Sequence, residues 1–193
     1  LLPKLARGEM FLCYGLSEPN VGGDLPSVET RVTREGDEIV INGAKRWCTG
    51  ADWSDYIYCL CRSGGPEDRH GNLTFVLVPT SAPGVSMQPI AHANLRYTDS
   101  MDVFLDDVRL PASAIVGGPD KWNKGWEALA GRALDVEKIE ITAVAYGIAR
   151  AALEEAWQYA QERTQFGKPI SKHQAIAHKL VTARTKLAAC RHM

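Results

Sequence analysis

Hydrophobic and polar positions in the first two-thirds of the chain alternate with a period of two, the pattern of strands with one buried face. A short helical stretch over residues 1–9, closed by Gly8, leads into an apolar strand from Met10 to Leu16. Alternation resumes from Glu29 to Arg34, turns at Glu35-Gly36-Asp37 and continues at Ile39-Val40-Ile41. Asn42-Gly43 then reads as a further hairpin turn, because both residues tolerate positive φ, with Ala44 to Thr49 returning as a strand. On that strand Trp47 and Thr49 share a face. More strands are expected over Tyr56 to Arg62, Leu73 to Val78, Val85 to Pro89 and Met101 to Leu105, separated by links such as Ser63-Gly64-Gly65-Pro66 and Ala82-Pro83-Gly84. Short strands at this spacing, with no helix between them, predict an antiparallel barrel or sandwich.

The composition changes after Leu110-Pro111, and from about Trp122 the period is helical. Ala133 to Phe166 contains no proline and would make a helix of about 50 Å. Its apolar residues, among them Ile139, Ile141, Val144, Ile148 and Leu153, occupy more than one face, as expected inside a bundle with further members. Gly167 and Pro169 are expected to stop it. Ser171-Lys172-His173-Gln174 has the form of a capping box opening a second, antiparallel helix. The fold expected is therefore α+β: a β-barrel or sandwich over residues 1–118, then the beginning of a helical bundle over 119–193. The chain does not begin with Met and stops inside the last helix, at Arg191-His192-Met193, so a piece of a longer protein is expected.

With 193 residues, 45% hydrophobic and 23% charged, the chain can bury a substantial core. A net charge of -1, with the basic residues scattered, gives no field to gather nucleic acid or anionic lipid. No apolar run reaches the roughly 18 residues of a membrane span. Five cysteines, at positions 13, 48, 59, 61 and 190, form an odd set without C-x-x-C spacing, which fits free thiols in a reducing compartment. The histidines at 70, 92, 173, 178 and 192 share no metal-ligand spacing, and no metal is expected.

Four stretches carry candidate chemistry: Ser17-Glu18-Pro19 with the loop Gly22-Gly23-Asp24, Trp47-Cys48-Thr49, Asp135-Val136-Glu137-Lys138, and Arg163-Thr164-Gln165-Phe166-Gly167. Each has an ordinary reading alone. Trp47 suits the core of a sheet, Glu137 a helix surface beside Lys138, and Arg163 the negative end of a helix dipole. Equally, an indole beside a hydroxyl can hold a flat heterocycle and bond its polar edge.

Together and in this order, the four stretches resemble the acyl-CoA dehydrogenase family of flavoproteins, over its middle β-domain and the start of its C-terminal helical domain. The resemblance implies FAD as cofactor, an acyl-CoA thioester as substrate, electron-transfer flavoprotein as acceptor, and a homodimer or homotetramer. It implies that Tyr14, Leu16 and Ser17 line the flavin, that Trp47 shields the ring, and that Thr49 bonds its N5/O4 edge. Arg163, Gln165 and Phe166 would reach the FAD of a neighbouring subunit, and Gly23, Asp135 and Lys138 would lie on the substrate side. Glu137 would be the base that removes the α-proton as the β-hydrogen leaves as hydride, as in the isovaleryl- and long-chain branch; Glu140 is a nearby decoy. In most of the family that glutamate lies downstream, beyond this chain. Two departures are Gly23 in place of a serine and Lys138 in place of an arginine. The alternatives are a flavin oxidase or monooxygenase on a non-CoA substrate, and a non-catalytic module. The compartment implied is the cytoplasm, or the mitochondrial matrix in a eukaryote.

Overall fold

The computed structural model describes residues 1–93, 98–130 and 132–193. It divides into two compact units, Leu1–Ala130 and Gly131–Met193. The first holds α1 (Leu2–Ala6), β1 (Leu12–Gly15), β2 (Arg31–Glu35), β3 (Glu38–Thr49), β4 (Tyr56–Arg62), β5 (Leu73–Pro79), β6 (Val85–Ile90), β7 (Ser100–Pro111) and α2 (Gly125–Ala130). The strands form one sheet in which β4 carries β5 on one edge and β1, then β2, on the other; β3, β7 and β6 follow β2. The expected α+β fold is present, with a correction to the pairing. The sheet is mixed, since β1 runs parallel to β4 and β2 meets β4 in one parallel pair, Arg31 with Arg62.

Alternation placed the strands because the sheet curls around one core. Ile39, Ile41, Ile57, Val76, Val78, Val103 and Val108 are buried in it, together with Cys13, Cys48, Cys59 and Cys61. The β2–β3 hairpin turns at Gly36-Asp37, with Glu35 opposite Glu38 and Gly36 at φ 65°. The second hairpin expected at Asn42-Gly43 is not formed; β3 runs straight through it. Asn42 instead braces a bulge in β7. Its amide donates to Asp107 Oδ1 at 2.9 Å and accepts from the Asp107 N–H at 2.9 Å. Glycine is needed at 43 for space, because a Cβ there would lie 2.6 Å from Thr30 Cα.

The second unit holds α3 (Arg132–Glu162), the two-residue strands β8 (Thr164–Gln165) and β9 (Lys168–Pro169), and α4 (Gln174–His192). Helix α3 ends at Glu162, short of the expected Phe166. The chain turns at Phe166-Gly167, with φ of 53° and 71°, so Gly167 serves a hairpin and not a helix cap. The capping box is also absent. Ser171 lies in a 3-10 turn, Ile170–Lys172, and α4 opens behind His173, which makes Gln174 its first residue where the box requires the third. Helices α3 and α4 pack antiparallel: Arg184 lies over the Trp157 ring, 5.1 Å from its centroid, and further from the turn Tyr146 and Arg150 share a groove with Arg191.

Replacing Gly43 with Ala is expected to destabilise the first unit by about 2–4 kcal/mol, through both strain and the clash with Thr30. At Gly36, where a Cβ meets nothing within 4 Å, the same change should cost only about 1 kcal/mol. Urea midpoints of the two variants check the difference.

Candidate functional site

The site in the first unit is built on a fault in the β3–β7 ladder. Lys45 pairs with Val103 and Cys48 with Met101, so Arg46 and Trp47 together face Asp102 alone. In an unbroken strand Trp47 and Thr49 would follow Ile39, Ile41 and Lys45 into the core. The extra residue reverses the phase. Cys48 is fully buried, Trp47 is 52% exposed, and Thr49 lies on the open face with it. Trp47 is held at φ 62°, a conformation that a bulky residue adopts only under constraint from its surroundings. The Arg46 guanidinium lies 5.1 Å from the Trp47 ring centroid and 3.5 Å from the Asp102 carboxylate. Thr49 shares a 2.8 Å hydrogen bond with the Ser100 hydroxyl.

The segment after β1 docks beside this bulge. The Ser17 carbonyl accepts from the Arg46 N–H at 2.8 Å, and the Leu16 carbonyl accepts from Lys45 Nζ at 3.2 Å. Among the described residues the Ser17 hydroxyl has no hydrogen-bond partner. Tyr14 is 65% exposed, its ring edge-on to Tyr58 at 5.8 Å. Gly23 sits in an exposed loop with nothing within 4 Å of where a Cβ would be. The structure therefore gathers Leu16, Ser17 and Trp47 around Lys45 and Arg46, with Thr49 two residues further along β3.

Two residues to which the sequence assigns no role of their own, Lys45 and Glu18, are buried next to them. Lys45 is fully buried and its ammonium bonds Glu18 Oε1 at 2.8 Å. Glu18 also accepts from the backbone N–H groups of Glu29 at 2.6 Å and Thr30 at 2.9 Å. Burial pushes the Glu18 carboxyl up, but Lys45 and the N–H donors outweigh it and hold the group below its ordinary value. A signal for Lys45 was present, since it falls in phase with Ile39 and Ile41.

In the second unit Glu137, Asp135 and Lys138 are all exposed on α3. Lys138 pairs with Asp135 at 3.3 Å. At 3.6 residues per turn, Glu137 points about 160° away from Asp135 and about 100° from Lys138, so the helix does not bring the three onto one face. Glu140, on the next turn, is exposed as well. Arg163 follows α3 directly; its N–H donates to the Tyr159 carbonyl at 2.9 Å, and its carbonyl accepts from the Ile170 N–H at 2.8 Å. Gln165 and Phe166 project on the hairpin beyond it. Phe166 is 93% exposed, edge-on to His173 at 5.9 Å, and the Gln165 carbonyl lies 3.2 Å from His173 Nε2.

Among the described residues no cluster of His, Cys, Asp and Glu is arranged to hold a metal ion, and no helix is long and apolar enough to cross a membrane.

The chain thus carries a curled sheet with an outward indole, followed in sequence by a long helix and a projecting Arg-x-x-Phe-Gly hairpin. Residues 13–108 match the acyl-CoA dehydrogenase middle domain and residues 123–193 the acyl-CoA dehydrogenase C-terminal domain. The chain belongs to the acyl-CoA dehydrogenase family. It is 37% identical over 193 residues to the probable acyl-CoA dehydrogenase YngJ of Bacillus subtilis, covering 100% of this chain and 50% of that protein. It is also 37% identical over 191 residues to the 3-(aryl)acrylate reductase of Clostridium sporogenes, covering 98% and 49%. A glutaryl-CoA dehydrogenase from Mycobacterium smegmatis, solved in complex with FADH2, superposes with a TM-score of 0.84 at 31% identity, over 98% of this chain and 46% of that one. The chain thus spans about half the length of the curated relatives it matches.

Because Glu18 has a lowered folded-state pKa, it contributes stability that is full above its unfolded value, near 4.5, and is lost as pH falls through the folded value. The urea midpoint of the native sequence is expected to drop more steeply below pH 4.5 than that of Glu18→Gln, which has no carboxyl to titrate at this position.

Proposed function

We propose that the full-length protein removes the elements of hydrogen across Cα–Cβ of an acyl-CoA thioester, with FAD held at the Leu16, Ser17, Trp47 and Thr49 edge. The observation that carries this reading is the bulge that turns Trp47 out of the core beside two hydroxyls. These residues suit a flavin. The exposed indole offers a broad apolar face, and each hydroxyl can donate or accept, so either protonation state of a heterocycle edge is served. When bound, FAD supplies the acceptor for the hydride lost from the β-carbon.

Trp47 and Tyr14 cover apolar surface and keep water from it, while Ser17 and Thr49 fix orientation through their hydroxyls. The Glu137 carboxylate accepts the α-proton on an oxygen as the β-hydrogen leaves. Arg163 presents a fork suited to phosphate oxygens, and the Phe166 turn carries an aromatic ring outward, as contact with a neighbouring subunit requires. Support for that reach is the near-complete exposure of Phe166. Gly23 leaves its loop open to a bulky ligand, whereas Asp135 and Lys138, paired with each other and turned away from Glu137 on α3, are not placed with it on the reacting carbons. A homo-oligomer and electron-transfer flavoprotein complete the proposal as partners.

A second reading, the same scaffold acting on a substrate that is not a CoA thioester, is favoured by the 37% identical relative named for a 3-(aryl)acrylate. The open Gly23 position is compatible with it.

Addition of acyl-CoA to the full-length protein without oxygen separates the two readings. Bleaching of the yellow flavin absorbance is expected, and its absence would favour the second. In the same protein Glu137→Gln is expected to lower kcat by about 10²–10⁴-fold. Unaltered turnover would remove Glu137 from the site.

A further inference from the structure

Resting on the flavin reading above, we propose that the buried Lys45–Glu18 pair is a positioning device for the cofactor edge, and that its two members are positioning residues of the site. The pair lies under the exposed edge and touches each segment that forms it. Lys45 Nζ holds the Leu16 carbonyl at 3.2 Å and Glu18 Oε1 at 2.8 Å. The other end of the clamp is Glu18, whose two oxygens take the N–H groups of Glu29 and Thr30 ahead of β2. The Thr30 hydroxyl in turn donates to the Ala44 carbonyl at 3.2 Å, closing the ring back onto β3. One buried charge pair therefore ties the segment after β1, the approach to β2, and β3 to one another.

The geometry sets what the edge can present. The Leu16 carbonyl is turned toward Lys45 and the Ser17 carbonyl toward the Arg46 N–H, so two successive carbonyls face β3. The Ser17 hydroxyl is left without a partner among the described residues. On β3, Lys45 is the last residue before the bulge and is paired with Val103, so anchoring its side chain in the core also fixes the strand from which Arg46 and Trp47 depart. The Lys45 stem passes the chain at Gly15, where a Cβ would already lie 3.5 Å from Lys45 Cγ and 2.7 Å from Ile57 Cγ2. Ser17 and Trp47 thus each lie within two residues of a position the pair fixes, Leu16 and Glu18 on either side of Ser17 and Lys45 itself in β3.

Stability alone does not account for charge here. Replacing a buried ion pair with apolar groups of similar size is often neutral or stabilising, whereas removing one partner leaves an uncompensated charge. An apolar residue at position 45 would fill the same volume but would release the Leu16 carbonyl and leave Glu18 without its cation. Orientation of the 16–18 segment is what the pair supplies beyond packing.

The test is made in the full-length protein with FAD as the probe. The double variant Lys45→Met with Glu18→Gln removes both charges, and the isosteric Glu18→Gln is measured alongside it. Each is compared with the native sequence for far-ultraviolet circular dichroism, FAD dissociation constant and the visible spectrum of bound flavin. We expect a folded double variant whose FAD affinity falls about 10–100-fold and whose flavin bands shift toward those of free FAD. A folded variant of either kind with native FAD affinity and spectrum would overturn the proposal. Failure of both variants to fold would overturn it too, by making the pair structural. If the native protein binds no FAD, the flavin reading itself fails, and that control tells the two failures apart.

Discussion

One additional residue in β3 determines which side of the sheet can do chemistry. From Ile39 through Lys45 the odd-numbered side chains of β3 point inward, and a regular strand would have carried Trp47 and Thr49 in after them. Because Arg46 and Trp47 together oppose Asp102, Cys48 takes the inward place and the indole is turned outward. The backbone is held at a left-handed φ to achieve this, a conformation that persists only where the surroundings over-determine it. They do so from both directions. Beyond the bulge β3 re-enters the ladder at Cys48–Met101 and Thr49–Ser100, and before it Lys45 is anchored by Glu18 in the core.

Several later features depend on that reversal. The docking of Ser17 on the Arg46 N–H needs Arg46 displaced from a regular ladder position. The guanidinium of Arg46 can lie over the Trp47 ring while meeting Asp102 only because the two residues share one partner. A compensating bulge lies further along the same pair of strands, where Asp106 and Asp107 of β7 oppose Asn42 of β3. Each strand therefore gains one residue, and the register that Ile41 sets with Val108 remains compatible with the one that Cys48 sets with Met101.

Much of this architecture could be read in the sequence, and the parts that could not share a cause. Period-two alternation located β2, β4, β5 and β6 because each depends on local pattern and burial. Gly36-Asp37 could be read as a turn for the same reason. Asn42-Gly43 carries an equally strong local signal and is not a turn, because Gly43 answers to Thr30, thirteen residues earlier, and Asn42 answers to Asp107 across the sheet. The Ser171 box failed similarly: a 3-10 turn shifted the start of α4. Trp47 and Thr49 were correctly placed on a common face, yet whether that face was core or surface depended on a bulge with no local signature. Lys45 was overlooked because lysine on a strand is ordinarily read as solvent-facing, although its phase with Ile39 and Ile41 pointed inward.

The central claim is that the outward face at Trp47 is where a flavin lies, and oxidative footprinting of the full-length protein tests it most directly. Trp47 and Trp53 are similarly exposed, at 52% and 54%, and Trp53 belongs to a separate contact with Phe11, so it serves as an internal reference. With FAD added to the apoprotein, the account predicts that hydroxyl-radical labelling falls at Trp47 and Tyr14 and stays level at Trp53. Equal labelling of Trp47 with and without bound FAD would contradict it.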